Sequence, residues 1–101
     1  MREFLRGAVR LHILHYAARG AVHGSWLAEE LARHDYRISP GSLYPTLHKM
    51  EGEGLLRSRV QVVGGRSRRS YAITASGRRV LGQAKARLRE LADEVLGAAG
   101  R

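Results

Sequence analysis

Both prolines of this 101-residue chain fall in one stretch, ISPGSLYPTLHKMEGEGLL, from Ile38 to Leu56. Leu43, Leu47 and Met50 follow at helical spacing, so a helix begins amid two residues that each cost about 3 kcal/mol in a helix interior. Two starts satisfy the pattern. With Ser39 as cap, Pro40 is the first helical residue and Pro45 lies inside, where it deletes the backbone bond to Gly41. With Ser42 as cap, Pro45 sits in the first turn, where no donor is needed. The second start is energetically quieter. Either way the prolines fix where the helix begins, and so where Ser42, Tyr44 and Thr46 are presented.

Around this segment the hydrophobic period divides the chain. Residues 3 to 19 read as a first helix, with Phe4, Leu5, Ala8, Val9, Leu11, Tyr16 and Ala18 on one broad half and Arg2, Arg6 and Arg10 on the other. Gly20 ends it. Ser25 is a candidate cap for a second helix that buries Trp26, Leu27 and Leu31 and carries Arg33 and His34 at its positive-preferring end. After a short turn, DYRI, comes the proline-bounded third helix, which runs to about Gly52. From Leu56 the period changes to two, Val60 and Val62 alternating with Arg59 and Gln61, and Tyr71 and Ile73 with Ser70 and Ala72. Gly64-Gly65 between the runs signals a tight hairpin, giving a two-stranded ribbon with Arg66, Arg68 and Arg69 on its tip and second strand. A long helix from about Ala75 to Ala99, capped by Thr74 or Ser76, closes the chain. On it Leu81, Ala84, Leu88, Leu91, Val95 and Ala98 recur in steps of three and four, and Val80, Ala92, Leu96 and Ala99 form a second apolar line. Two apolar lines on one terminal helix exceed what a small domain can cover, which points to a homodimer through Leu81, Ala84, Leu88, Leu91 and Val95.

Charge narrows the function. The net charge is +9, and between Glu53 and Glu90 ten cationic residues stand without a single acid. A one-signed block of this size on a small domain attracts a polyanion, most often nucleic acid. With 44% hydrophobic and 27% charged residues the chain reads as one globular domain, residues 1–74 and the terminal helix 75–101 forming one compact unit. No apolar stretch approaches the roughly 18 residues of a membrane span, and the start MREFLRGAV lacks a long apolar run, so a cytoplasmic location is expected, with no membrane partner. The absence of cysteine excludes disulfides, thiolate metal sites and a cysteine nucleophile. Nucleotide-cradling, metalloprotease and serine-hydrolase motifs are missing too, which argues against an enzyme.

Three helices, the second and third separated by a short turn, followed by an arginine-tipped hairpin, is the order of a winged helix-turn-helix. The expected fold class is mainly α with a β-hairpin wing and a long C-terminal dimerisation helix. The major groove of duplex DNA admits a helix, and a basic ribbon beside it grips phosphates. Ser39, Ser42, Tyr44, Thr46, His48 and Lys49 offer hydroxyl, imidazole and ammonium groups near the start of the third helix, where its dipole also favours phosphate. Leu43, Leu47 and Met50 face the core. Tyr44 can either meet DNA or pack with its hydroxyl outward.

The segment HGSWLAEELARHDYRISPGSLYPTLHKMEGEGLL resembles the PadR family signature, with its Gly-[Ser/Thr]-Leu-Tyr-Pro-x-Leu-x-x-[Leu/Met]-Glu-x-x-Gly-Leu recognition segment. RRSYAITASGRRVL is similar to that family's Arg-x-x-Tyr-x-[Leu/Ile]-Thr-x-x-Gly wing strand and final-helix start. The likeness spans roughly Val22 to Leu81 and is most specific from Gly41 to Leu55. It departs at His23-Gly24-Ser25-Trp26, where Tyr-Gly-Tyr-Glu is common, and its single short terminal helix is that of the compact members. The resemblance implies a winged-helix transcriptional regulator, usually a repressor, that binds a palindromic operator as a homodimer and is released by an effector. It also places DNA contact on Ser42, Tyr44, Thr46, His48 and Lys49, on Pro45 as a shaping residue, and on the wing at Arg66, Arg68 and Arg69.

Two side features bear on the effector. His12 and His15 stand three apart on the first helix, about 60° from one another. That spacing can place two imidazoles on a divalent metal such as Zn, Ni or Cd, with Glu3 or His23 as a third ligand; the plainer reading is a pair of hydrogen-bonded histidines. Trp26 suits a core position or stacking on a planar small molecule. A basic RNA-binding or ribosome-associated protein is the rival class, but single-strand readers display exposed aromatics on a sheet, and the only aromatic of this ribbon, Tyr71, alternates inward with Ile73.

Overall fold

In the computed structural model, which describes residues 1–97, the elements are α1 (Arg2–Arg19), β1 (Val22–His23), α2 (Gly24–Arg33), α3 (Pro40–Gly52), β2 (Leu56–Val63), β3 (Arg66–Ile73) and α4 (Ala75–Leu96). Ala98 and Ala99, expected on the two apolar lines of the last helix, lie outside the described residues. Ile13 of α1, Leu27 and Leu31 of α2, Leu43, Leu47 and Met50 of α3 and Leu56 of β2 are fully buried, and Tyr71, Ile73 and Leu81 close the cluster from β3 and α4. Each such side chain contributes about 1.5–3 kcal/mol relative to exposure, so the three on α3 fix its rotation about its own axis. Its remaining sides face outward.

The helix-turn-helix connection is built from backbone hydrogen bonds. At the end of α2, Tyr36 N–H donates to the Leu31 carbonyl and Asp35 N–H to that of Ala32, with Asp35 in the left-handed region at φ 65°. This is a Schellman closure with aspartate where glycine is usual. The end of α3 repeats it with Gly54 at φ 80°, Leu55 N–H donating to Met50 and Gly54 N–H to Glu51. Before α3, Ile38 N–H turns back to the Tyr36 carbonyl at 3.0 Å and Ser39 is extended, and α3 takes the earlier of its two starts: Ser39 is the cap, Pro40 the first helical residue, and Pro45 lies inside. Leu43 N–H closes the first turn onto the Ser39 carbonyl at 2.8 Å. The quieter start at Ser42 is not used.

Several expectations change. The sheet has three strands, in the order β1-β3-β2, because Val22 and His23 pair with Tyr71 and Ser70. That pairing leaves His23 extended as the cap of α2, so Ser25 lies inside the first turn and caps nothing. On α1 the core line is Val9, Ile13, Leu14, Tyr16 and Ala17, whereas Phe4 and Leu5 are exposed because the first turns of the helix overhang the core. Val60 and Val62 share one face of the ribbon as expected, yet the ribbon runs past the core and leaves both exposed. Trp26 is 42% exposed, its ring set edge-on to Tyr16 at 5.4 Å, and is not a core residue.

Thr74 rather than Ser76 caps α4, its hydroxyl accepting from Gly77 N–H at 3.0 Å and donating to the Gly54 carbonyl. The apolar seam of α4 divides. Leu81 belongs to the chain's own core and Ala84 is half-buried, while Leu88 and Leu91 are about half exposed and Val95 is 69% exposed. With 22 residues, α4 is about 33 Å long, and the molecule measures 55 × 28 × 21 Å. No helix among the described residues is long and apolar enough to cross a membrane.

Gly77 is required by space. A Cβ there would run into the Leu55 carbonyl oxygen and lie 2.7 Å from Ile73 Cγ1, whereas a Cβ at Gly82, on the same helix, meets nothing. Gly77→Ala should therefore destabilise the protein by about 1–3 kcal/mol, and Gly82→Ala should stabilise it by up to about 1 kcal/mol. Urea unfolding at one fixed protein concentration checks both.

Candidate nucleic-acid interface

With the Leu43, Leu47 and Met50 line inward, a rotation of about 100° per residue sorts the rest of α3. Gly41, Pro45 and His48 point away from the core. Ser42, Thr46 and Lys49 form one flank, and Tyr44 and Glu51 the other. Tyr44 is 43% exposed and its ring lies over Gly24, where a Cβ would come within 2.6 Å of Cε1; the small residue opening α2 is what lets the tyrosine ring lie there. Tyr44 thus packs one part of its ring and leaves the rest open to solvent. Ser39, Ser42, His48 and Lys49 are exposed. Thr46 is half-buried and its hydroxyl donates to the Ser42 carbonyl at 2.8 Å, so it retains only acceptor capacity for a ligand.

The second flank is tied to the ribbon. Glu51 accepts from both the backbone N–H of Ser58, at 3.1 Å, and its hydroxyl, at 2.8 Å; Arg69 in turn donates to the Ser58 hydroxyl at 3.0 Å. The two Ser58 hydrogen bonds, side chain first, hold the Glu51 carboxyl below the usual carboxylate range, aided by the nearby positive charge of Arg69. Of the three wing arginines expected at the interface, Arg69 is therefore partly spent on holding the ribbon against α3.

The strand register places the other cations. Leu56 faces Ile73, Ser58 faces Tyr71 and Val60 faces Arg69, and these lie on the core side of the ribbon. Arg57, Arg59, Gln61, Arg66 and Arg68 fall on the opposite side, Gln61 directly across from Arg68. Gly64 and Gly65, at φ 58° and 78°, turn the hairpin. Alternation already sets Arg59 and Gln61 opposite Val60 and Val62 in the sequence, whereas Arg57 is readable there only as a member of a charge block; alternation carried back to Leu56 is the signal that joins it to Arg59, Arg66 and Arg68. The result is a polar helix face and a four-arginine ribbon face held together by one carboxylate.

Neither Glu3 nor His23 joins His12 and His15 as a third ligand, and no group of three or more potential ligands forms among the described residues. Glu3 lies nine residues before His12, about 13 Å along the helix, and His23 is held in β1 opposite Ser70. His12 instead packs with Tyr16, His34 and Tyr36, at ring separations of 5.8, 5.1 and 5.1 Å. Burial, then the neighbouring His34 and His15, lowers its pKa from 6.5. His12 and His15 do share the lining of a small pocket of about 190 Å³ between α1 and α4, with Leu81, Lys85 and Leu88.

Comparison with known proteins agrees with this geometry. Residues 13–83 match the model of the transcriptional regulator PadR-like family. The chain is 61% identical over 97 residues to the transcriptional regulator Rv3488 of Mycobacterium tuberculosis, covering 96% of this chain and 91% of that one. Among solved structures it is similar to a PadR family transcriptional regulator from Eggerthella lenta, with 32% identity and a TM-score of 0.81 over 97% of this chain and 87% of that one. It is also similar to a PadR-like transcriptional regulator from Bacillus cereus, with 27% identity and a TM-score of 0.85 over 98% of each.

A histidine with a lowered folded pKa favours the neutral form, so its contribution to stability is complete above pH 6.5 and is lost as pH falls below that value. The melting temperature should fall between pH 7.5 and 5.5, and His12→Gln should flatten that slope. Thermal melts of both proteins across this range check it.

Proposed function

The chain belongs to the PadR-like family of transcriptional regulators, and from that premise we propose that it binds operator DNA as a homodimer, acts as a repressor and is released by an effector. The observation that carries the reading is the pairing of the outward face of α3 with the arginine face of the ribbon, fixed by the Glu51–Ser58–Arg69 link. A helix of this exposure suits the major groove, and the ribbon suits the phosphates beside it. Membership of a family of transcriptional regulators argues against catalysis and favours duplex DNA over RNA as the partner.

Homodimerisation is supported by the exposed apolar line of Leu88, Leu91 and Val95, with exposed Leu96 on the line beside it, on a helix that projects from the core. Two copies related by a twofold axis read a palindrome, whose half-sites lie one helical turn or a multiple apart. The pocket between α1 and α4 adjoins that line, so an effector bound there would alter how two copies meet. A small molecule suits its apolar walls; a divalent metal such as Zn, Ni or Cd would find two ligands in His12 and His15 and need others from a second copy. Calorimetry with these ions tests the metal, with binding abolished in His12→Ala/His15→Ala if it is correct.

Fluorescence anisotropy with the promoter duplex upstream of the protein's own gene, a random duplex and single-stranded RNA tests the whole reading. The promoter duplex should bind most tightly, and equal binding to all three would contradict it. Arg66→Ala/Arg68→Ala should weaken binding to both duplexes and flatten the salt dependence by about 1 in log-log slope for each phosphate no longer neutralised. Leu88→Glu/Val95→Glu should leave a monomer by light scattering and reduce operator affinity at least tenfold.

A further inference from the structure

We infer that a groove between the first turns of α1 and the Ser42–Thr46–Lys49 flank of α3 seats a phosphodiester strand of the duplex, held by Arg2, Arg6 and Arg37. The inference rests on the reading of α3 as a helix in the major groove. That groove is about 12 Å wide and a helix with its side chains is about 10–12 Å across, so both flanks of the helix come against a sugar-phosphate backbone. The flank carrying Tyr44 and Glu51 is the one beside the ribbon. On the other side lies an open groove of about 820 Å³.

Its lining fits an extended polyanion. Arg2, Arg6 and Val9 share one line of α1, and because Val9 is anchored in the core, the overhanging turns carry both arginines along the groove. Arg37, from the connection between α2 and α3, and Lys49 complete four cations against one carboxylate, Asp35, which lies 3.6 Å from Arg37 with both side chains exposed. Arg10, one turn beyond Arg6, is paired with Glu53 at the exit of α3, whereas Arg2, Arg6 and Lys49 have no carboxylate within ion-pair distance among the described residues. The cations are exposed and spaced along a helix rather than converging on one enclosed point, which suits a line of phosphates better than one small anion. The DNA-binding surface then has two phosphate grips, the ribbon on one side of α3 and the α1 overhang on the other.

The test is anisotropy across a salt series with wild type, Arg2→Ala/Arg6→Ala, Arg2→Lys/Arg6→Lys and the wing variant Arg66→Ala/Arg68→Ala. The alanine pair should weaken operator and random duplex alike by about tenfold or more at physiological salt and flatten the log-log slope by about 2, while the lysine pair should stay near wild type. An alanine pair with wild-type affinity and slope, beside a wing variant that loses both, would overturn the inference and leave the groove to a small anion or a second copy. A lysine pair as weak as the alanine pair would also overturn it. Failure of wild type to bind any duplex would instead refute the underlying reading of α3. Thermal melts should place all four proteins close together, because the altered side chains are exposed.

Discussion

Burial of Leu43, Leu47 and Met50 is the constraint on which the rest depends. A helix of 13 residues with three fully buried side chains on one line has a single way to sit against the core, so its other residues are assigned to faces by geometry alone. Pro40 and Ser39 set where that geometry begins, and the Schellman closure at Gly54 sets where it ends. A slip of one residue in the buried line would turn the outward face by about 100° and replace every group it presents. Pro45 gives up one backbone bond inside the helix, a cost that the buried line offsets.

Around that helix the polar links are few and placed where the elements must not slide. Glu51 holds β2 through Ser58, Arg69 reinforces the same oxygen, Arg10 reaches from α1 to Glu53, and Thr74 joins the start of α4 to Gly54. Three of these links converge on residues 51–54, the exit of α3. Helix α3 is thus clamped at its C-terminal end and left accessible along its exposed face, an arrangement that suits the proposed DNA contacts because they would form without reorganising the core.

Much of this was legible in the residues. The proline-bounded helix, the change of period at Leu56, the Gly64-Gly65 turn and the seam on the last helix are local patterns, and each marks a real element. What escaped was set by distance in sequence. β1 is two residues long and exists because Tyr71 and Ser70 lie across from it; no periodicity can reveal it. Ser25 lost its capping role to that same pairing. Leu81 looked like an interface residue because its spacing matched Leu88, but only packing against α1 separates the part of the seam that the chain covers itself from the part it exposes. The two flanks of α3, and the cations of α1 beside one of them, likewise depend on how helices distant in sequence come together.

Hydroxyl-radical footprinting of the protein on its own promoter duplex tests the central claim most directly. A dimer that presents two copies of α3 and its ribbon should protect two equivalent half-sites centred one helical turn or a multiple apart on the same face of the duplex. Uniform protection of the whole duplex, or protection of random sequence to the same extent, would contradict it.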